Sequence, residues 1–134
     1  MIIRLSVSNF AIINELNLSF GEGLTIITGE TGAGKSILLG ALRLIMGERA
    51  DLKQLNHPKI KCVVEAVFDI SGLKLKPFFE ENDLDYDDET ILRRELLPGG
   101  KSRAFINDTP VNLITLQNLS KNLIDIHSQF NTQN

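Results

Sequence analysis

A single cysteine, Cys62, in 134 residues excludes a disulfide framework, and no Cys/His spacing suggests a zinc site. No apolar run approaches the roughly 20 residues needed to cross a bilayer, so no membrane partner is expected. The opening "MIIRLSVSNF" carries one charge and no long apolar core ending in small residues, which is unlike a signal peptide. A cytoplasmic location is the expectation. Apolar residues make up 43% of the chain and charged ones 23%, the balance of a chain that folds around a core. One domain is expected at this length.

An excess of positive charge is also lacking: the formal net charge is −3. The deficit is local. "EENDLDYDDE" (Glu80 to Glu89) holds seven of the 17 acidic residues and no basic one, leaving ten acids against 14 Lys and Arg elsewhere. Charge alone therefore neither supports nor excludes a nucleic-acid partner. Taken as a calcium loop from Asp83, that acidic run puts Asp88 where glycine is required and Arg94 where a bidentate glutamate is required. A solvated loop is expected instead.

Alternation dominates what is present. Ile3, Leu5 and Val7 alternate with Arg4, Ser6 and Ser8, and "ELNLSF" repeats the pattern with Leu16, Leu18 and Phe20. Two paired strands are expected, followed after "GEG" by a buried strand "LTIIT". From Lys35 to Met46 the chain reads as a helix apolar on nearly all sides, with Gly47 as its C-terminal cap. In "KIKCVVEAVFDI", Ile60, Cys62, Val64, Ala66, Phe68 and Ile70 share one face. A single wet face implies an antiparallel sheet and makes Cys62 a packed thiol. A short helix is expected at "LKPFFEEN", a hairpin turning at "PGG" with "ND" closing its return strand, a helix at "NLITLQNLSKNL" and a short strand at "LIDIH".

The chemistry concentrates in "GETGAGKS". Gly29, Gly34, Lys35 and Ser36 fill every fixed position of G-x-x-x-x-G-K-[ST], with Glu30, Thr31, Gly32 and Ala33 between them and Ile37 next in line. Glycines let the backbone wrap close enough for its N–H groups to point at phosphate oxygens. The helix that begins here adds the positive end of its dipole. Lys35 is the candidate for the β- and γ-phosphates, and the Ser36 hydroxyl for Mg²⁺.

Two other phosphate-handling classes fit less well. "DISG" (Asp69 to Gly72) matches the D-x-x-G of GTPases, but its strand has one polar face and no N-K-x-D element is present. A nucleotide kinase would lead with its phosphate-loop strand, whereas here two strands come first.

"LSVSNFAIINELNLSFGEGLTIITGETGAGKSILLGALRLIMGERADL" and "LRRELLPGGKSRAFINDTPVNLITLQNLSKNLIDIHSQF" resemble the RecN family of bacterial DNA repair proteins, within the structural-maintenance-of-chromosomes (SMC) group of ABC-type ATPases. The resemblance weakens only from about Lys53 to Glu89. It implies that residues 1–134 form the N-terminal lobe of an SMC-like ATPase head: an α/β P-loop fold with a core sheet and an antiparallel β-subdomain. It implies ATP and Mg²⁺ as cofactors, DNA as a partner through the full-length protein, a second head of a homodimer closing over the nucleotide, and a cytoplasmic, nucleoid-associated location. It carries the Q-loop glutamine, which contacts Mg²⁺ and the attacking water, onto Gln129. The Walker B carboxylates and the signature motif belong to a C-terminal lobe across a coiled coil, and no such motif occurs in this sequence. Turnover by the chain alone is not expected.

The sequence departs from the family pattern at Ser128, where relatives often have glycine. The arginine expected shortly after the phosphate-loop helix is not assigned; Arg49, Lys53, Asn56 and His57 lie in that region. His127 reads as a packed histidine and His57 as an exposed one. Arg93, Arg94, Lys101 and Arg103 gather on the expected hairpin, either as a solvated, charge-protected edge strand or as a DNA-backbone surface. The alternative to a repair ATPase lobe is a stand-alone P-loop nucleotide-binding module or a small GTPase-like protein.

Overall fold

The computed structural model describes residues 1–20, 32–50 and 55–124. The expected strand "LTIIT", Gly29 to Thr31, Lys53, most of "LIDIH", and His127, Ser128 and Gln129 lie outside them. Among the described residues, six strands form one antiparallel sheet: β1 (Ile2–Phe10), β2 (Ile13–Ser19), β3 (Cys62–Asp69), β4 (Glu89–Leu96), β5 (Ser102–Ile106) and β6 (Thr109–Val111), in the order β2-β1-β3-β4-β5-β6. Helix α1 (Gly32–Ile45) lies between β2 and β3 in sequence, α2 (Lys76–Glu81) between β3 and β4, and α3 (Leu113–Ser120) follows β6.

The period-two patterns explain the sheet. Leu5 and Val7 of β1, Cys62, Val64, Ala66 and Phe68 of β3, Leu92 and Leu96 of β4, and Ala104 and Ile106 of β5 are buried together. Ile60 does not join this face. It precedes β3 and stays exposed, because the preceding loop is held by hydrogen bonds from the Asn9 amide to the carbonyls of His57 and Ile60. Against the apolar face packs α1, through Leu38, Ala41, Leu44 and Ile45. Cys62 is fully buried, and desolvation pushes its thiol up to about 11, with the charge of Arg94 opposing the shift. It is a packed core thiol, as expected.

The hairpin turning at Pro98–Gly100 is β4–β5, but β4 is not an edge strand. It pairs with β3 on its other side, Glu65 opposite Arg93 and Val64 opposite Arg94. "ND" does more than close the return strand. Asn107 (φ 48°) and Asp108 (φ 69°) form a tight two-residue turn into β6, with Ile106 facing Thr109. Both residues have positive φ, the requirement of a turn whose twist matches its strands, and Asn and Asp tolerate it best after glycine. The amide of Asn107 also fastens the acidic loop, donating to Asp85 O at 3.0 Å while its oxygen accepts from Ile91 N at 2.8 Å. That loop keeps Asp83, Asp85, Asp87 and Asp88 exposed, as expected.

Candidate functional site

The phosphate-loop residues divide at Gly32. Gly29, Glu30 and Thr31 lie outside the described residues, whereas Gly32, Ala33, Gly34 and Lys35 form the first turn of α1 as backbone. Ser36 is exposed one position further on, and Ile37 is half-buried. The first turn of α1 carries no acidic side chain and its last turn carries Arg43, a charge distribution that leaves the positive dipole end of the helix unopposed within that turn. Such an end favours phosphate, and an exposed serine hydroxyl there is a suitable Mg²⁺ ligand. Among the described residues no cluster of His, Cys, Asp or Glu could hold a metal by itself. Gln129, the other metal and catalytic candidate, lies outside them.

Halfway along the helix, the end of β1 packs on its backbone. A Cβ at Gly40 would stand 3.1 Å from Phe10 Cζ, so glycine sets the approach of helix to sheet. Asn9, the residue before Phe10, has a positive φ of 56° and is buried. Its side-chain oxygen accepts from His57 N at 2.7 Å, and Asn56 donates to Asn14 Oδ1 at 2.7 Å. The loop after α1 is thereby tied to the β1–β2 turn. His57 itself is exposed, as expected.

Among the described residues, the far end of α1 is heavily hydrogen-bonded. Gly47 N donates to Leu44 O at 3.0 Å and Glu48 N to Arg43 O at 3.1 Å, the paired bonds of a Schellman cap around a glycine at φ 90°. Gln117 Nε2 donates to Gly47 O at 2.9 Å and Ser120 Oγ to Met46 O at 3.3 Å, both from α3. From β4, Arg94 Nη1 donates to Leu44 O at 2.9 Å and to Glu48 O at 2.8 Å, while Nη2 reaches Ser102 Oγ at 3.3 Å. Arg94 is 1% exposed, and burial pulls its pKa below the ordinary arginine value. Carbonyls at a helix C-terminus, the negative end of the dipole, offset that loss of hydration.

Gly47 is accordingly intolerant of a side chain. A Cβ there would meet Gln117 Cγ at 2.5 Å, and the left-handed backbone adds strain. Gly47→Ala is expected to destabilise the chain by about 2–3 kcal/mol, from the conformation and the disturbed Gln117 bond. Urea unfolding should show a lower midpoint with an unchanged slope. An unchanged midpoint would mean that the cap contributes nothing.

The four basic residues of the hairpin do not act as one patch. Arg94 turns inward. On the opposite sheet face Arg93 lies 3.3 Å from Glu65, 3.4 Å from Glu95 and 3.4 Å from Asp108, with its guanidinium stacked 4.4 Å above Phe105. Arg103 pairs with Glu95 at 3.7 Å, and Lys61 reaches the same carboxylate at 3.7 Å. These pairings offset much of the positive charge of Arg93 and Arg103, which weakens the DNA-surface reading of this hairpin; Lys101 is exposed in the turn. The charge-protected edge strand fails for a different reason, since β4 is interior. The D-x-x-G string is also accounted for locally: Asp69 accepts from Ser71 N at 3.0 Å and Ser71 Oγ at 2.7 Å, bonds that hold its carboxyl below the usual range. It caps its own turn, at the end of an antiparallel strand.

Comparison with known proteins agrees with this architecture. The family model for the AAA domain matches residues 4–133. The chain is similar to the DNA repair protein RecN of Vibrio cholerae, 43% identical over 130 residues, covering 96% of this chain and 24% of that protein. RecN of Bacillus subtilis is 39% identical over 135 residues, covering 99% of this chain and 23% of that protein. The chain thus spans about a quarter of the length of these relatives. An SMC ATPase solved in work on ATP-driven dimerization and DNA-stimulated activation shares the fold, with a TM-score of 0.68 at 19% identity over 96% of this chain and 83% of that one.

Proposed function

The chain belongs to the AAA domain family, and from that premise we propose that it is the N-terminal ATP-binding lobe of a RecN-like ATPase acting in recombinational repair of DNA double-strand breaks. One observation carries the reading: α1 opens inside G-E-T-G-A-G-K-S, with Ser36 exposed one position past its first turn and no carboxylate in that turn to oppose phosphate. In this reading Gly29 to Gly34 wrap the phosphates with backbone N–H groups, Lys35 neutralises the β- and γ-phosphates, and Ser36 and Gln129 hold Mg²⁺. Bound Mg²⁺ would supply charge neutralisation at the β- and γ-oxygens. The SMC relative, described by ATP-driven dimerization, supports a second head as partner, and its DNA-stimulated activation supports a DNA partner for the full-length protein. A DNA partner supports the proposed cytoplasmic, nucleoid-associated location; among the described residues no helix is long and apolar enough to cross a membrane.

Because the loop grips what all nucleoside triphosphates share and no base-reading motif is visible, ATP should be favoured over GTP by no more than about tenfold. Calorimetric titration of the 134-residue chain with Mg·ATP and Mg·GTP, alongside Lys35→Ala, tests this. Strong GTP selectivity would revive the GTPase reading, and binding that survives Lys35→Ala would place the nucleotide elsewhere.

A further inference from the structure

We propose that Arg94 is a positioning residue for the phosphate loop: it clamps the C-terminal turn of α1 to β4 and β5, and so fixes the axial placement and rotation of the helix whose first turns carry Lys35 and Ser36. This rests on the nucleotide-binding reading of α1. The helix meets the sheet through Leu38, Ala41, Leu44 and Ile45, a packed contact to which hydrogen bonds add directional restraint. Near its middle, Gly40 against Phe10 is again an apolar contact. Among the described residues, the side-chain hydrogen bonds that reach particular carbonyls of this helix and its cap gather at the far end.

Arg94 Nη1 grips Leu44 O in the last turn and Glu48 O just beyond the cap, and Nη2 anchors the same rigid fork to Ser102 of β5. Gln117 and Ser120 hold the neighbouring carbonyls from α3, so the turn is caught between sheet and helix. An α-helix is a hydrogen-bonded rod rising about 1.5 Å per residue, so Ser36 sits only about 12 Å along the axis from Leu44. A slide or rotation at the clamped end therefore arrives at the phosphate end almost undiminished.

The experiment compares the 134-residue chain with Arg94→Met and Arg94→Lys, under conditions where circular dichroism shows each to be folded. Two quantities are read: amide hydrogen exchange over Ser36–Leu39 without nucleotide, and the dissociation constant for Mg·ATP. Arg94→Met should raise exchange at Ser36–Leu39 and weaken Mg·ATP binding, each by about tenfold. Arg94→Lys should recover part of both losses, since an ammonium can reach one of the two carbonyls. A variant that unfolds at lower temperature while exchange at Ser36–Leu39 and the affinity of the folded chain stay at the original values would overturn the proposal, leaving Arg94 a purely structural residue. If the unaltered chain binds no Mg·ATP, the nucleotide reading falls, and exchange at Ser36–Leu39 alone decides the positioning claim. Should Arg94→Met fail to fold, Ser102→Ala removes only the Nη2 partner. It is expected to shift exchange and affinity in the same direction by about twofold to threefold, and no shift would overturn the proposal.

Discussion

Introduced into the full-length protein, Lys35→Ala is expected to abolish ATP turnover, a loss of at least about a hundredfold to a thousandfold. Phosphoryl transfer leaves the protein little covalent chemistry to perform. Rate comes from holding the triphosphate and stabilising charge as it shifts between oxygens. A lysine at this position of a phosphate loop is the one fixed cation in the motif, so its removal strips charge stabilisation that backbone N–H groups cannot replace. Alanine preserves helix propensity in the first turn of α1, so the fold should survive. Steady-state phosphate release and a thermal melt, measured side by side, separate the two effects. Normal turnover in the variant would remove the basis for assigning the loop.

The second large effect is an absence of activity. The 134-residue chain, purified alone with Mg·ATP, should hydrolyse it no faster than its own Lys35→Ala control. Catalysis needs Mg²⁺ held on more than one side, an oriented water and stabilisation of the γ-phosphate together. The candidates available are Lys35, Ser36 and Gln129, which amount to a ground-state grip and one water contact. No apolar run in the sequence ends in an Asp-Glu pair, and no Ser-Gly-Gly signature occurs. Weak Mg·ATP binding without turnover is therefore the expected state. Robust, Lys35-dependent phosphate release would show that a complete catalytic set lies within these residues, and the split-head reading would have to be abandoned.

Much of this structure was legible in the residues. The alternations of β1 and β3, the all-round apolarity of α1 with Gly47 after it, the turn at Pro98–Gly100 and the helix at α3 all follow from local patterns. Two features were not legible, for separate reasons. That β4 is an interior strand depends on its pairing with β3, Glu65 against Arg93, which no local window contains. Arg94 is different, because its signal was present. Leu92, Arg94 and Leu96 share the apolar parity of their strand while Arg93 and Glu95 share the other, so an arginine stood on a face otherwise meant for burial. Three further basic residues on the same hairpin, Arg93, Lys101 and Arg103, mask that parity. Ile60 erred in the opposite direction: the alternation extends to it, but the strand begins only at Cys62. At the site itself, the assignment of the residues rests on the motif, and α1 shows where its helical part begins. Gly29 to Thr31 and Gln129 rest on the motif and the family likeness.

The strand order has a consequence for how the chain reaches its fold. From β3 to β6 every strand neighbours the next in sequence, so those four strands of the six can zip up through near contacts. Joining β1 to β3 is another matter, since residues 20–61, α1 among them, separate β2 from β3 in sequence. That connection is roughly eight times the length of the β4–β5 turn (residues 97–101), and its closure forfeits about 2 kcal/mol more chain entropy. Contacts of such separation are also the slow ones to form. Among the described strands, the segment that carries the phosphate loop is thus the longest connection, and a ligand gripping it would act on the pairing with most kinetic ground to cover.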